Sequence, residues 1–382
     1  MNVLIVPSWY KNEKKPILGS FFEEQARTLL NNGHNVYVAD ATLQGFDNLF
    51  SKRMFKLCKY DDDGLITYSR ITPGFGLART VRGGLEIFNH SLEKIYKTMI
   101  SDGIKIDVIH AHSFFPAGIV AVWLGKKYGI PVVVTEHNSL VLKGSLHPTR
   151  VGLLKETVEN SAAFVCVSQA LKKSVVKLTG TKKFIEVIPN LVDSRFRYRE
   201  KSTKDMFTYS SIGNLIAGKR FDLTLKAFAR VRERVSNAQL IVVGGGVLRA
   251  SLEQMAMKLN IADFVEFKGV LSRDEVADVL SQSDVFVLPS DFETFGVVYI
   301  EALASGVPIV ATRNGGAEAI VSDDNGILTD IGDEDELYNA MLDIYDNYDR
   351  YDLKSISKAC KEIYGEDSIG KKLSMLYERI AT

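Results

Sequence analysis

The chain reads as an α/β protein with parallel sheets, laid out in two halves. Short apolar runs rich in β-branched residues, each of strand length, alternate along it with helical runs. The stretch 285–312 shows the unit clearly: an apolar strand run 285–288, a polar loop, a helical run from near Val297 stopped by Ser305-Gly306, and a second strand run 307–311. This is a βαβ unit whose loop lies at the carboxyl end of a strand, the edge where open α/β sheets bind ligands. At 382 residues the chain has room for two or three domains of about 150 residues each.

Composition narrows the function. With 46% hydrophobic and 25% charged residues, a folded protein with a sizeable core is expected. The formal net charge of +0 argues against general nucleic-acid binding. Cys58, Cys166 and Cys360 are far apart and have no metal-ligand spacing, so free thiols in a reducing cytoplasm are expected. No apolar run reaches membrane-spanning length, and residues 1–6 are too short for the core of a signal peptide.

In order, 3–6 is the first strand. A loop through Lys11, Lys14, Lys15 and Pro16 reaches Gly19, and Ser20 to Glu23 reads as a capping box opening a helix that ends at Asn32-Gly33. Gly19 therefore stands at a helix N-terminus after a strand, where backbone N–H groups can meet a phosphate. Strands are expected at 36–39 and 66–68 and a helix at 85–100. The segment 52–59 mixes basic and apolar residues; it fits contact with an anionic membrane surface, or a solvated edge, which the following Asp61-Asp62-Asp63 favours. The strand 107–112 runs into a loop, with a helix from about Pro116, and 132–135 is a strand with Glu136-His137-Asn138-Ser139 at its end. His110 and His112 are expected on opposite faces of their strand and so not as joint metal ligands, with His110 structural. Next come a strand at 164–168, a helix 169–178 capped by Ser168, and a strand at 184–189. The polar run 198–204 is the expected linker.

The second half opens with strand 207–212, a glycine-containing loop 213–220 and a helix 221–235. Strand 240–246 ends in three glycines, but a nicotinamide fingerprint needs another where Arg249 stands. Strand 265–269 precedes a second capping box, 272–275. After the central stretch come a loop at 314–316, a helix at 317–321, a strand at 325–328, and a helical tail opened by a third capping box at 333–336.

The chemistry gathers at two loops. Glu293 precedes the helix beginning near Val297, and Glu301 lies about two turns inside it. Between them are the first N–H groups of that helix, with Gly296 allowing close approach. Phosphate on the N–H groups and hydroxyls on the carboxylates would suit a phosphorylated polyol; two solvated glutamates are the plainer alternative. Lys219 and Arg220, at a strand-to-helix turn, suit a diphosphate or are a solvated pair.

The pattern Pro289-Ser290, Glu293-Thr294-Phe295-Gly296, Glu301-Ala302 and Gly306-Val307-Pro308 resembles the donor-site signature of the family 4 retaining glycosyltransferases. The resemblance covers most of the chain, more strongly over 205–330 than over 1–200. It implies a GT-B fold, two Rossmann-like domains facing across a cleft: 1–200 on the acceptor side and 205–365 binding the donor, with a last helix 366–382 crossing back. It implies a catalytic set of Glu293, His112 and Lys219. Gly19, Gly213, Arg220, Gly269, Thr294, Phe295, Gly296, Val297 and Glu301 would bind the donor, and His137 would lie on the acceptor side. The base would lie against the turn following Gly269. Two departures stand out: Leu191 replaces a glycine in Pro189-Asn190-Leu191-Val192-Asp193, and Asn214 stands where the family has arginine, leaving Lys219 as main contact and Arg220 as a substitute. The implied reaction moves a hexosyl or N-acetylhexosaminyl group from a nucleotide sugar (UDP- or GDP-linked) to a hydroxyl of a glycan or lipid-linked acceptor, with retention and no metal or other cofactor. It would serve cell-surface polysaccharide or glycolipid synthesis, in the cytoplasm or at the inner face of the membrane. A nucleotide-sugar isomerase or epimerase of the same fold and a non-catalytic nucleotide-sugar binder stay open.

Overall fold

A computed structural model describes residues 1–11, 18–44, 55–74, 76–201 and 205–381. The expectations at Lys14, Lys15, Pro16, 52–54 and 202–204 lie outside the described residues. The chain divides into two compact units, Met1–Pro189 with Ile369–Thr382, and Asn190–Ser368. Division falls at Pro189/Asn190 rather than in the polar run 198–204, because residues just past it already pack on the second unit: Ser194 N–H donates to Glu366 at 2.8 Å, and Leu191 and Phe196 are buried.

In the first unit the elements run β1 (Asn2–Pro7), α1 (Ser20–Asn31), β2 (Asn35–Asp40), β3 (Leu43–Gln44), β4 (Leu57–Asp62), β5 (Leu65–Arg70), β6 (Thr72–Pro73), α2 (Val81–Ser101), β7 (Val108–His112), α3 (Ile119–Tyr128), β8 (Val132–Glu136), α4 (Ser139–Leu142), α5 (Pro148–Asn160), β9 (Ala163–Cys166), α6 (Gln169–Thr179) and β10 (Ile185–Val187). Its large sheet has the order β10-β9-β8-β7-β1-β2-β5-β4, parallel except for β4 against β5. β1, β7 and β8 are buried on both faces, as strands covered by helices on two sides must be. β4 is the solvated edge at the described end of segment 52–59; its Lys59 pairs with Asp102 at 2.9 Å.

The second unit runs β11 (Phe207–Ile212), α7 (Phe221–Arg234), β12 (Ala238–Val243), α8 (Arg249–Lys258), β13 (Val265–Gly269), α9 (Arg273–Gln282), β14 (Val285–Leu288), α10 (Val297–Ala304), β15 (Ile309–Thr312), β16 (Gly326–Thr329), α11 (Glu334–Asp346) and α12 (Leu353–Tyr364). Its sheet is parallel throughout, in the order β13-β12-β11-β14-β15-β16. The last helix, α13 (Glu366–Ala381), packs from Ile369 onward on the first unit. There Ser374 meets His34 at 2.8 Å and Tyr377 meets His110 at 2.6 Å.

Several local expectations are corrected. Ser20 is the first residue of α1, not its cap: Gly19 holds that position at φ 77°, and Glu23 turns to Lys11 and Arg27. The two cations outcompete a return bond to the helix start. At α11, Asp333 caps as expected, but Glu336 accepts from the Asp330 N–H, so the box is not reciprocal. The box at α9 is complete. A π-turn at 114–118 carries Pro116, so the regular helix begins only at Ile119, and 317–321 forms a single 3-10 turn over 317–319. No helix among the described residues is long and apolar enough to cross a membrane.

Candidate functional site

The strand orders place a crevice in each sheet. In the first unit the chain winds outward from β1 through β2 and β5, then returns to β7 on the other side of β1. In the second it leaves β11 for β12 and β13, then returns to β14 on β11's other side. At such a switch point the loops beyond adjacent strands diverge and leave room for a ligand. The loop after β1 carries Gly19, and His112 closes β7 at the same edge. The loops after β11 and β14 carry 213–220 and 289–296.

In the first unit His112 is the last residue of β7, paired in register with Pro7 of β1 and Thr135 of β8. His110 and His112 lie on one face, not opposite faces, with ring centroids 4.5 Å apart. Strand side chains alternate with period two, so residues two apart share a face. His110 is structural: its ring nitrogens meet Tyr377 Oη and Thr135 Oγ1 at 2.6 and 2.7 Å. His112 differs. Its Nδ1 lies 3.2 Å from Nε2 of His137, while His112 Nε2 and His137 Nδ1 have no partner among the described residues. Burial drives both rings toward neutrality, lowering His137 to about 3 and His112 well below the ordinary histidine value. A neutral pair sharing one proton leaves one outer nitrogen as donor and the other as acceptor. Phe22 stacks on His112 at 4.6 Å and Phe21 on His137 at 5.1 Å. Gly19 starts α1 with no described side chain capping it; a Cβ there would press Phe22 and the Trp9 carbonyl, each at 3.1 Å.

In the second unit the structure brings Lys219 and Glu293 together across the switch point as an ion pair. Asn314 fixes the Glu293 loop from beneath. Its carbonyl accepts the Glu293 N–H at 3.1 Å, its amide donates to Tyr299 Oη at 2.9 Å, and its Oδ1 accepts from the Gly316 and Ala317 N–H groups. Gly296 starts α10 at φ 87° with no side-chain cap, its face against the Tyr299 ring, which a Cβ would meet at 2.3 Å. Phe295 turns inward against Tyr364 and is buried, so only its backbone faces the loop; Thr294 and Val297 are half-buried beside it.

Glu301, one face along α10, is buried and held by Arg273 at 2.6 Å. The sequence shows Arg273 only inside a capping box, Asn314 only in a loop and Glu136 only at a strand end, none with a role in the site. The first-turn position of Arg273 on α9 was the available signal. Arg220 forks onto Asp222 at 3.1 and 3.2 Å and reaches Asp291 at 3.3 Å, so two carboxylates match its charge. Asn214 is exposed. The loops after β11, β12 and β13 are laced by backbone bonds, Gly213 N to Val243, Leu215 N to Gly245 and Gly244 N to Gly269. Gly269 sits at φ 74° against the Arg249 guanidinium. Gly213 differs: no protein atom would come within 3.8 Å of a Cβ, so nothing in the protein's own packing demands glycine there. No group of three or more His, Cys, Asp or Glu among the described residues is placed to hold a metal.

Residues 193–361 match the family model described as glycosyl transferases group 1, and residues 18–196 match that of glycosyltransferase family 4. The chain is 28% identical over 287 residues to an N-acetyl-alpha-D-glucosaminyl L-malate synthase of Bacillus anthracis, covering 72% of this chain and 74% of that one. It is 33% identical over 258 residues to an uncharacterized glycosyltransferase of Methanocaldococcus jannaschii, covering 66% of this chain and 69% of that one. Its fold matches the crystal structure of Anabaena HepE in complex with UDP, with a TM-score of 0.77, 17% identity, and coverage of 99% and 100%.

Proposed function

The chain belongs to the family 4 glycosyltransferases of GT-B fold, and from that premise we propose that it moves a hexosyl or N-acetylhexosaminyl group from a nucleoside-diphosphate sugar to a hydroxyl of a glycan or lipid-linked acceptor, with retention. The observation that carries this reading is the Lys219–Glu293 pair at the switch point, beside the uncapped start of α10. On arrival of the donor the pair exchanges partners. Lys219 turns to the diphosphate, joined by the N–H groups of α10, and Glu293 to the hydroxyls of the sugar. As the glycosidic bond breaks, negative charge grows on the leaving diphosphate, and a fixed cation and a helix N-terminus are the groups that stabilise it. Glu301 takes the ribose hydroxyls, oriented by Arg273. Gly213 leaves its space to the donor, and the base lies against the turn after Gly269. His112 and His137 offer a matched donor and acceptor to hydroxyls of the acceptor.

Charge stabilisation by Lys219 and α10 lets the reaction run without a metal. The direct test incubates the protein with UDP- and GDP-sugars and a panel of glycan and lipid-linked acceptors, with and without chelator. Nucleotide release that needs acceptor and survives chelator, with a product whose anomeric configuration matches the donor by NMR, is expected. Conversion of the donor sugar with no acceptor, or loss of activity restored by a metal, would overturn the respective part of the reading.

A further inference from the structure

Glu136 is the last residue of β8, fully buried, and absorbed by none of the roles above. One carboxylate oxygen accepts the Phe114 N–H at 2.7 Å; the other accepts the His137 and Asn138 N–H groups at 2.9 and 2.6 Å. Phe114 lies two residues past His112 and belongs to the loop after β7. His137 and Asn138 open the loop after β8. Between His112 and Phe114, Ser113 sits at φ 66° and ψ 142°, a conformation a residue with a side chain adopts only when its surroundings impose it. Its N–H is tied to the Thr135 carbonyl at 2.7 Å. A buried carboxylate is costly unless its bonds are complete. Here it takes three amide donors, from both loops that bear the paired rings.

We infer that Glu136 is a positioning residue: its carboxylate ties the loop after β7 to the loop after β8 and thereby sets the hydrogen bond between His112 and His137. The inference rests on the proposed role of those two histidines in transfer. It goes further, because it assigns the alignment of the pair to a side chain that touches neither ring nitrogen. A 3.2 Å contact between two neutral rings tolerates little relative motion before the shared proton loses its acceptor. Without the carboxylate, three N–H groups, two of them buried, lose their partner and the strained turn at Ser113 loses a restraint.

The test uses the full chain with Glu136→Gln and Glu136→Asp. Glutamine offers one acceptor oxygen and turns an NH2 toward N–H groups that need an acceptor, so it holds one loop and releases the other. Nitrogen-15 NMR of the histidine side chains reports tautomer and hydrogen bonding, with His110, held by Tyr377 and Thr135, as internal reference. Expected for Glu136→Gln are altered His112 and His137 signals with His110 unchanged. A turnover loss of tenfold or more is also expected, with nucleoside-diphosphate affinity within twofold. Glu136→Asp keeps the charge but is one methylene short, and should shift the same two rings. If Glu136→Gln does not fold, Glu136→Asp carries the decision alone. Wild-type signals from both rings in a folded variant overturn the inference whatever the turnover. Absence of transfer in every form, wild type included, counts against the proposed function instead, and the ring spectra still decide the role of Glu136.

Discussion

Replacing Arg273 with methionine probes the donor site through a residue expected to touch no donor atom. Arg273 Nη1 lies 2.6 Å from Glu301 Oε1, with side chains 21% and 4% exposed. Methionine keeps much of the apolar stem, which packs near the Phe196 ring with the guanidinium carbon 4.8 Å from its centroid. Removing one partner of a fully buried pair costs about 3–5 kcal/mol, because a charge is left without its partner. Arg273 is a fifth exposed, so water can reach part of the site and about 2 kcal/mol is the expected loss. For a unit of this size that is a fall in melting temperature of about 4–8 °C. If Glu301 takes the ribose as proposed, it would also lose its orientation, and affinity for nucleoside diphosphate should fall about tenfold, or 1.4 kcal/mol. Glu301→Gln removes the charge-assisted bonds directly and should weaken binding by about 1.5–3 kcal/mol. In the double variant no lone charge remains, so its stability should recover part of the loss in Arg273→Met. Scanning calorimetry and titration calorimetry with UDP and GDP read both quantities. If Arg273→Met melts within a degree of wild type and binds both nucleotides as well, Arg273 does not position Glu301.

Lys219→Ala should lower turnover by more than tenfold, since a contact of that size is worth above about 1.4 kcal/mol in the transition state; Arg220→Ala, whose charge Asp222 and Asp291 already match, should lower it less, and the reverse ranking in a steady-state assay would exchange their roles. Glu293→Ala should reduce turnover far more than affinity for the bare nucleoside diphosphate, and equal losses would make Glu293 a nucleotide ligand. Burial raises Glu136 to about 7, above its ordinary value of 4.5, while His137 stays neutral down to about 3 and the adjacent Cys166 thiol is raised. The native state therefore holds the Glu136 proton more tightly than the unfolded one. The stability this adds is present below pH 4.5 and is lost as pH rises through about 7, by about 3 kcal/mol at most. Chemical denaturation of wild type against Glu136→Gln at pH 5 and pH 8 should show the wild type losing ground at the higher pH, and a pH-independent difference would contradict the raised value.

The second unit was the more legible in the sequence. β14 and the apolar parts of β12 and β15 are continuous runs, and β11, β13, β14 and α10 fall where the sequence pattern puts them. The first unit is harder to read around β3 to β6, where two-residue strands and an antiparallel edge interrupt the alternation of strand and helix. Of the site, residues on single loops were readable: Glu293, Gly296 and Lys219. Their partners were not. Arg273 reaches Glu301 and Asn314 reaches Glu293 only because the sheet returns each chain segment to the same edge. Glu136 was visible only as a residue between a strand and a histidine; its three backbone donors belong to two loops that adjacent strands bring together. The pairing of His112 with His137 likewise depends on β7 and β8 being neighbours.

Three helices of this chain, α1, α7 and α10, begin at residues in the left-handed conformation, Gly19, Arg220 and Gly296, with no described side chain closing their first turn. Seven other helices are closed by a side chain, through Thr80, Asn138, His147, Ser168, Ser272, Asp333 and Asp352, while α3 and α8 also start without a described one. A glycine in place of a capping side chain, as at Gly19 and Gly296, forgoes only about a few tenths of a kcal/mol per helix. At these three strand-to-helix turns the first-turn N–H groups have no described side-chain acceptor, and a phosphate settling on one of these ends would do a cap's work. Recognition there would double as local consolidation: a ligand that accepts from these N–H groups ties the first turn it rests on, so binding and the order of the receiving surface are coupled.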